Sequence, residues 1–232
     1  MNRGALISRV SQKLGIDLTA GTDELALMQG WANEAVVDVL VRTHIYIAIG
    51  DLALTSGTAE YRLDSTILAI DDGRGSTPAG IGHYEVIGLA DMIDIQAASL
   101  QSASMRKYIA IEGDLLIVSP TPSTGESLRF FYVPRPTAMT SDSHDPSTST
   151  YGGIPSECHR AIEYYMLWQG SEYDDKRTAM TPQDYFKLYL AECQEVVRMR
   201  NRKRGRGLLP ARVGYPGSRR KAGLRNDAYP PR

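Results

Sequence analysis

The chain has 232 residues, of which 42% are apolar and 23% are charged. This ordinary composition excludes wholesale disorder, a collagen helix and a coiled-coil rod. The formal net charge of −1 hides a strong asymmetry. Twelve Lys/Arg and one acid, Asp227, lie between Arg198 and the C-terminus, which gives a balance of +11. Residues 1–197 hold 14 basic and 26 acidic side chains, which gives a balance of −12. An acidic body with a strongly basic tail implies a partner for the tail.

No membrane span or signal peptide is predicted. The most apolar stretch, residues 35–49, is interrupted by Asp38 and Arg42 and falls short of the roughly 18 apolar residues that a span needs. The N-terminal residues lack an apolar core followed by a cleavage site. Two cysteines, Cys158 and Cys193, are too few for a disulfide framework, so we expect buried thiols in a reducing compartment.

Two helices are predicted in the N-terminal part of the chain. An apolar residue recurs every fourth position over residues 4–14, and Gly15 ends this helix. A second helix is predicted from a cap at Thr22 to about Arg42. Its apolar residues recur at intervals of three and four: Leu25, Met28, Ala32, Val36 and Val39.

Short strands are predicted after residue 50, where the hydrophobic period changes to two. Residues 52–54 and 59–63 alternate on either side of the Ser56-Gly57 turn, which predicts a hairpin. A Gly-rich loop is expected at 71–83. Further strands are expected at 66–70, 84–89, 108–111, 115–118 and 128–133, with a short helix at 91–101. Turn signals every 8–12 residues are typical of a small antiparallel sandwich or barrel.

Two more helices are predicted after a polar segment, residues 137–153, that we interpret as a linker. Pro155 suits the first turn of one helix. The other opens at Thr181, where threonine caps, Pro182 occupies the first helical position and Asp184 completes a capping box.

The predicted fold is therefore α+β. Residues 1–47 and 154–204 form one helical bundle, because no helix pair alone covers its apolar face. Residues 48–136 form an inserted β module, a small antiparallel sandwich or barrel, and residues 137–153 link it to the later helices. Residues 205–232 form an extended basic C-terminal arm that cannot bury a core of its own.

No catalytic or metal site is predicted. The SxxK pattern at 104–107 lacks partner motifs, the Gly-rich residues 73–80 lack the lysine of a phosphate loop, and the acidic turns at 71–72 and 142–145 lack calcium-loop spacing. The four histidines form no HxxxH or HExxH spacing: His44, His83, His144 and His159. We expect no enzyme, no cofactor and no metal.

The basic tail has three interpretations. It is a solvated helix end without a partner, a nucleic-acid contact, or a docking arm for an acidic protein groove. Favourable helix-end charges explain the first few cations but not twelve, and a body at −12 would repel phosphate. We favour the docking arm, with apolar anchors between its cations. Its candidate contact residues are Arg198, Arg200, Arg202, Lys203, Arg204, Arg206, Leu208, Leu209, Tyr215, Arg219, Arg220, Lys221 and Arg225.

The order of turns and strand ends resembles that of tailed-phage head-to-tail adaptor (connector) proteins, which dock on the portal. The resemblance rests on the block from Tyr108 to Pro122 with its Pro-x-Pro end, and on Leu128 to Pro136. An acidic Ser/Asp/Pro segment follows, then a helix after Pro155 and a second helix with an aromatic stripe. It covers roughly residues 22–204.

The resemblance implies a structural virion protein of the head–tail neck, assembled in the host cytoplasm. Such a protein forms a homo-oligomeric ring beneath the portal, in twelve copies imposed by portal symmetry, and meets a downstream tail or neck protein. Its arm, residues 198–232, would dock on the portal. Genomic DNA would pass through the channel without sequence-specific binding, and no membrane is involved. The alternative is a nucleic-acid-binding module that uses the same tail.

Overall fold

The structure is a computed structural model that describes residues 1–16, 18, 23–70, 75–76, 83–97, 107–122, 126–173 and 180–203. Within these residues the helices are α1 (Arg3–Leu14), α2 (Asp23–Thr43), α3 (Leu89–Ala97), α4 (His159–Tyr173) and α5 (Pro182–Lys203). The strands are β1 (Ala48–Leu54), β2 (Glu60–Arg62), β3 (Ile67–Ile70), β4 (Gly75–Ser76), β5 (His83–Val86), β6 (Lys107–Glu112), β7 (Leu115–Ser119) and β8 (Glu126–Pro134). Helices at both ends of the chain flank a β-rich insert, so the predicted α+β class is confirmed.

The helices begin and end where local chemistry favours it. The Asn2 side chain accepts a hydrogen bond from the amide of Ala5 at 3.0 Å, and Gly15 ends α1 with a φ of +66°. At the start of α5 the hydroxyl of Thr181 donates to Asp184 at 2.7 Å. The predicted cap of α5 is confirmed, because the Thr181 hydroxyl accepts from the amide of Asp184 at 3.3 Å. The predicted cap of α2, Thr22, lies outside the described residues.

The helical core lies among α1, α2, α4 and α5. Leu6, Val10, Met28, Val39 and Ile162 are at most 1% exposed within it. Aromatic rings fill the interface between α4 and α5, and they include Tyr165, Trp168, Phe186 and Tyr189. Burial of this kind gives roughly 1.5–3 kcal/mol per large apolar side chain, so these helices hold together mainly through their shared core.

One sheet contains all eight described strands, in the order β1-β8-β4-β5-β6-β7-β2, with β3 also paired to β8. All pairs are antiparallel except β5 with β6, so the predicted antiparallel module contains one parallel pair. The sheet encloses a second core of Leu54, Tyr84, Ile109, Leu116 and Phe130 with their neighbours.

The strand partners differ from the prediction at one hairpin. β6 and β7 pair across the Glu112-Gly113-Asp114 turn as expected, with Gly113 at a φ of +60°. The hairpin predicted between β1 and β2 is wrong, because β1 pairs with β8 and β2 pairs with β7. A period of two identifies the apolar face of a strand, but it carries no information about the partner.

Other boundaries shift by a few residues. The strand expected at 84–89 ends at Val86, and α3 begins at Leu89 rather than 91. Residues 75–76 of the expected Gly-rich loop form β4, and most of the rest of that loop lies outside the described residues. Pro155 precedes a short 3₁₀ helix, Ser156–Cys158, that leads into α4.

The polar segment 137–153 is fastened to the helical core. The guanidinium of Arg3 donates to the carbonyl of Met139 at 2.6 Å and to Asp142 at 2.7 Å. Met139 is 1% exposed, and its amide bonds to the side chain of Asn33 at 2.7 Å. The segment that we interpreted as a linker therefore forms part of the surface beside α1 and α2.

Candidate partner-binding surfaces

The described part of the basic tail is the C-terminal end of α5. Arg198 forms an ion pair with Glu195 one turn earlier, and Arg202 is exposed. Lys203 is the last residue of α5. The remaining candidate arm residues lie outside the described residues: Arg204, Arg206, Leu208, Leu209, Tyr215, Arg219, Arg220, Lys221 and Arg225.

Arg200 makes a contact inside the body. Its guanidinium donates to the carbonyl oxygen of Thr43, the last residue of α2, at 2.8 Å. The final carbonyls of a helix have no partner within that helix and carry partial negative charge. Arg200 therefore stabilises the end of α2, a role that its place in a run of cations did not reveal.

A polar cluster joins α2 to α5 below this basic end. The phenol of Tyr189 donates to the carboxylate of Asp38, and the guanidinium of Arg42 lies 2.6 Å from the same carboxylate. Arg42 also lies over the Tyr189 ring, 5.8 Å from its centre. The hydrogen bond to Asp38 raises the pKa of Arg42, and burial raises the pKa of Tyr189. Both groups therefore keep their protons throughout the physiological range.

A shallow cleft of about 570 Å³ opens between α2 and α5 beside this cluster. Its lining is mainly aliphatic, with one arginine at each side: Arg42, Leu190, Cys193, Gln194, Val197 and Arg198. Burial raises the pKa of the Cys193 thiol, so this cysteine is an unreactive part of the wall.

Two further cavities adjoin along α2, and we call them together the α2 groove. One measures about 550 Å³ and the other about 410 Å³, and both are lined by Glu34. The first is lined by Asp23, Ala26, Leu27, Gly30, Trp31, Glu34 and Tyr173. The second is lined by Asn33, Glu34, Val36, Val37, Asp38, Pro136, Thr137, Ala138, Met139, Tyr151 and Tyr165.

The α2 groove is apolar in its walls and acidic in its charge. Asp23 and Glu34 are exposed, and neither forms an ion pair with any described residue. Burial raises the pKa of the Tyr165 phenol, and the carboxylates of Glu34 and Asp38 raise it further. The sequence analysis missed this surface, because its residues come from α2, α4 and the segment 136–151.

The described side chains of His159 and His144 do not converge on a reactive site. His159 is buried, and its Nε2 donates to the carbonyl of Ile154 at 3.0 Å. His144 stacks on Tyr151 with ring centres 4.2 Å apart. Among the described residues no group of three or more His, Cys, Asp or Glu side chains could hold a metal ion.

The comparisons with known proteins identify the family. A family model described as "SU10 adaptor protein" matches residues 1–213. This chain belongs to the SU10 adaptor protein family. The family is one of phage structural adaptors rather than enzymes, so the resemblance to head-to-tail adaptors is confirmed at the level of the family. A comparison with curated proteins gives no match.

The extent of the SU10 adaptor match divides the basic tail. Residues 204–213 lie within the matched region, together with the helices and the β module. Residues 214–232, with Tyr215 and the cluster Arg219-Arg220-Lys221, lie beyond it. None of the described helices is both long and apolar enough to cross a membrane.

Proposed function

We propose that this SU10 adaptor forms a ring beneath the portal, extends the DNA channel and connects the phage capsid to the tail. The observation that carries the proposal is the family match over residues 1–213. The ring contains twelve copies, as portal symmetry imposes, and a downstream tail or neck protein binds its other side. The protein acts as a non-enzymatic component of the virion neck.

The packing of the helices supports a rigid building block. α1, α2, α4 and α5 share one core, and the segment 137–153 is bonded to it through Arg3. Part of the sheet joins the same core, because Val133 of β8 is fully buried against it. A body connected in this way can hold a fixed wedge shape in a closed ring.

The charge distribution supports a body that faces the DNA channel and a C-terminal arm that faces the portal. Residues 1–197 carry a balance of −12, and a channel wall of this sign repels phosphates and leaves DNA free to slide. Residues 198–232 carry the docking cations, and they contact the portal in this proposal. Repetition of a weak arm contact around a ring multiplies its effect.

The test is the mass by light scattering after gel filtration, for the full chain alone and mixed with its candidate portal ring. We expect a ring-sized increment in mass on the portal. The matched control is a chain that ends at Lys203, which keeps the contact between Arg200 and Thr43 and hence the end of α2. This control is expected to remain folded by circular dichroism and to lose the portal increment.

Two outcomes would contradict the proposal. If the chain ending at Lys203 binds the portal at full strength, the arm is not the contact. If the full chain gives no increment but binds DNA tightly with a steep salt dependence, the alternative applies, a nucleic-acid-binding module that uses the basic tail.

A further inference from the structure

The helix α2 is apolar on more faces than the core of one chain can cover. Its buried side faces α1, α4 and α5 with Met28, Ala32 and Val39. Its other side carries Leu27 and Val37, which line the α2 groove. Leu27 and Val37 are only half-buried, and apolar side chains left uncovered beside a cavity are typical of a surface that a partner covers in the assembled state.

The charge of the α2 groove selects the chemistry of that partner. Asp23 and Glu34 stand along one line of α2 without a cation among the described residues, and Asp38 lies one turn further on. The complementary ligand is an extended segment with several arginines and with aliphatic side chains for the two cavities.

The segment after Lys203 has this chemistry. Residues 204–213 contain Arg204, Arg206 and Arg212 without an acid, and their aliphatic residues are Leu208, Leu209 and Val213. The same ten residues are the part of the chain after α5 that lies inside the family match. They are also long enough, because the groove from Asp23 to Asp38 spans about 22 Å of helix, a length that about seven extended residues cover.

The direction of the chain favours a neighbouring copy as the source of the segment. α5 contacts α2 first at Asp38 through Tyr189 and later at Thr43 through Arg200. The two helices therefore run in the same sense, and the chain leaves α5 beyond the end of α2. The α2 groove extends the opposite way, from Asp38 back to Asp23, so a segment of the same chain would have to reverse direction.

We propose that the α2 groove of one copy binds residues 204–213 of a neighbouring copy. The arginines of that segment lie beside Asp23 and Glu34, and its aliphatic side chains enter the two cavities. This contact is of the head-to-tail kind that closes a ring. It rests on the proposed ring, and it narrows the portal contact proposed for residues 198–232 to residues 214–232.

Photo-crosslinking of the full-length chain tests the contact. A benzoylphenylalanine replaces Leu208, and equal amounts of ¹⁵N-labelled and unlabelled chain are mixed at the highest concentration that stays in solution. After irradiation, mass spectrometry locates the crosslinked peptides and their isotope content. We expect links from position 208 to residues 23–38, with one heavy and one light partner.

Charge variants make the test specific. Glu34→Lys reverses the charge in the groove and is expected to lower the crosslink yield about tenfold. Glu112→Lys is the matched control, because Glu112 is also an exposed acid, lies on β6 outside the groove and forms no ion pair with a described residue. It is expected to leave the yield unchanged. Combining Glu34→Lys with Arg206→Glu is expected to recover much of the yield. Circular dichroism and the thermal midpoint check that each variant is folded.

Several outcomes would overturn the inference. If every link to α2 joined two heavy or two light peptides, the segment would lie on its own chain. An absence of links to residues 23–38 would remove the groove as its binding site. An unchanged yield in Glu34→Lys would also contradict it. Portal binding is measured separately by mass, so a failure of this contact and a failure of the portal proposal are distinguishable.

Discussion

Gly170 of α4 packs tightly against Leu14 of α1. A Cβ at this position would overlap the side chain of Leu14, which is 1% exposed within the helical core. Gly30 in α2 provides a contrast, because a Cβ there would meet nothing within 4 Å. The same residue type thus has a packing role at one position and none at the other.

Gly170→Ala and Gly30→Ala are therefore expected to change stability in opposite directions. Overpacking costs about 1–3 kcal/mol, and against the buried Leu14 we expect the upper part of this range, which exceeds the roughly 1 kcal/mol that alanine gains over glycine in a helix. We expect the free energy of unfolding to fall in Gly170→Ala and to rise by about 1 kcal/mol in Gly30→Ala. Urea denaturation measures both, and a gain in both variants would show that α1 and α4 are not in close contact.

His159 makes stability depend on pH. Burial lowers the pKa of its imidazole, and the nearby N-terminal ammonium lowers it further, although Asp145 lies 3.9 Å away. The folded state thus binds its proton more weakly than the unfolded state, whose histidine pKa is about 6.5. The contribution of the neutral His159 imidazole to stability is complete above about pH 6.5, and it is lost as the pH falls from there through the pKa of His159 in the folded state.

The expected result is a lower free energy of unfolding at about pH 5 than at about pH 7.5, with a smaller difference in His159→Gln. Asp145 does not contribute in this range. Burial raises the pKa of its carboxyl group, but the hydrogen bonds from Ser147 and the N-terminal ammonium together outweigh burial and lower the pKa to about 2. Urea titrations at the two pH values measure the difference. An equal loss in the wild type and in His159→Gln would assign the pH dependence to other groups.

At the scale of helices and strands, local signals predicted the elements that they control directly. Thr181, Pro182 and Asp184 act within one turn, and α5 begins where they place it. The turn at Glu112-Gly113-Asp114 joins two adjacent strands, so β6 and β7 also follow from the sequence. The partners of β1 and β2 are distant in the chain, and no local pattern identifies them.

The candidate surfaces were likewise predictable from the sequence only where a local property defines them. The basic tail is a property of composition, and the sequence alone reveals it. The α2 groove exists only because Glu34, Met139 and Tyr165 meet through packing. The contact of Arg200 with Thr43 joins residues 157 positions apart and was equally inaccessible to sequence analysis.

Arg200 and Arg202 offer a matched test at the end of α5. Arg200→Ala removes a charged hydrogen bond to the last carbonyl of α2, and the free energy of unfolding is expected to fall by about 1–2 kcal/mol. Arg202→Ala removes an exposed cation and is expected to change it by less than about 0.5 kcal/mol. Urea denaturation measures both variants. Equal effects would mean that the contact with Thr43 does not stabilise α2.

For the whole molecule, the separation of charge decides how it meets DNA. Residues 204–232 hold eight Lys/Arg and one acid, and residues 1–203 hold 18 basic and 26 acidic side chains, a balance of −8. A chain of this kind attracts phosphate at one end and repels it over the rest. Binding of cations to DNA releases counterions, and the free energy gained in this way falls as salt rises. The attraction is therefore weak at physiological salt unless many phosphates are contacted.

We therefore expect the full chain to bind a fluorescent DNA duplex at about 50 mM salt and to release most of it at about 150 mM. If all eight cations contact phosphates, the logarithm of the binding constant falls with the logarithm of the salt concentration with a slope of at most about seven. The chain ending at Lys203 is expected not to bind at either salt concentration, because its net charge repels the duplex. Fluorescence anisotropy measures both. Binding by the shortened chain would contradict a DNA-repelling body, and tight binding by the full chain at about 150 mM would favour a nucleic-acid partner for the arm over the portal.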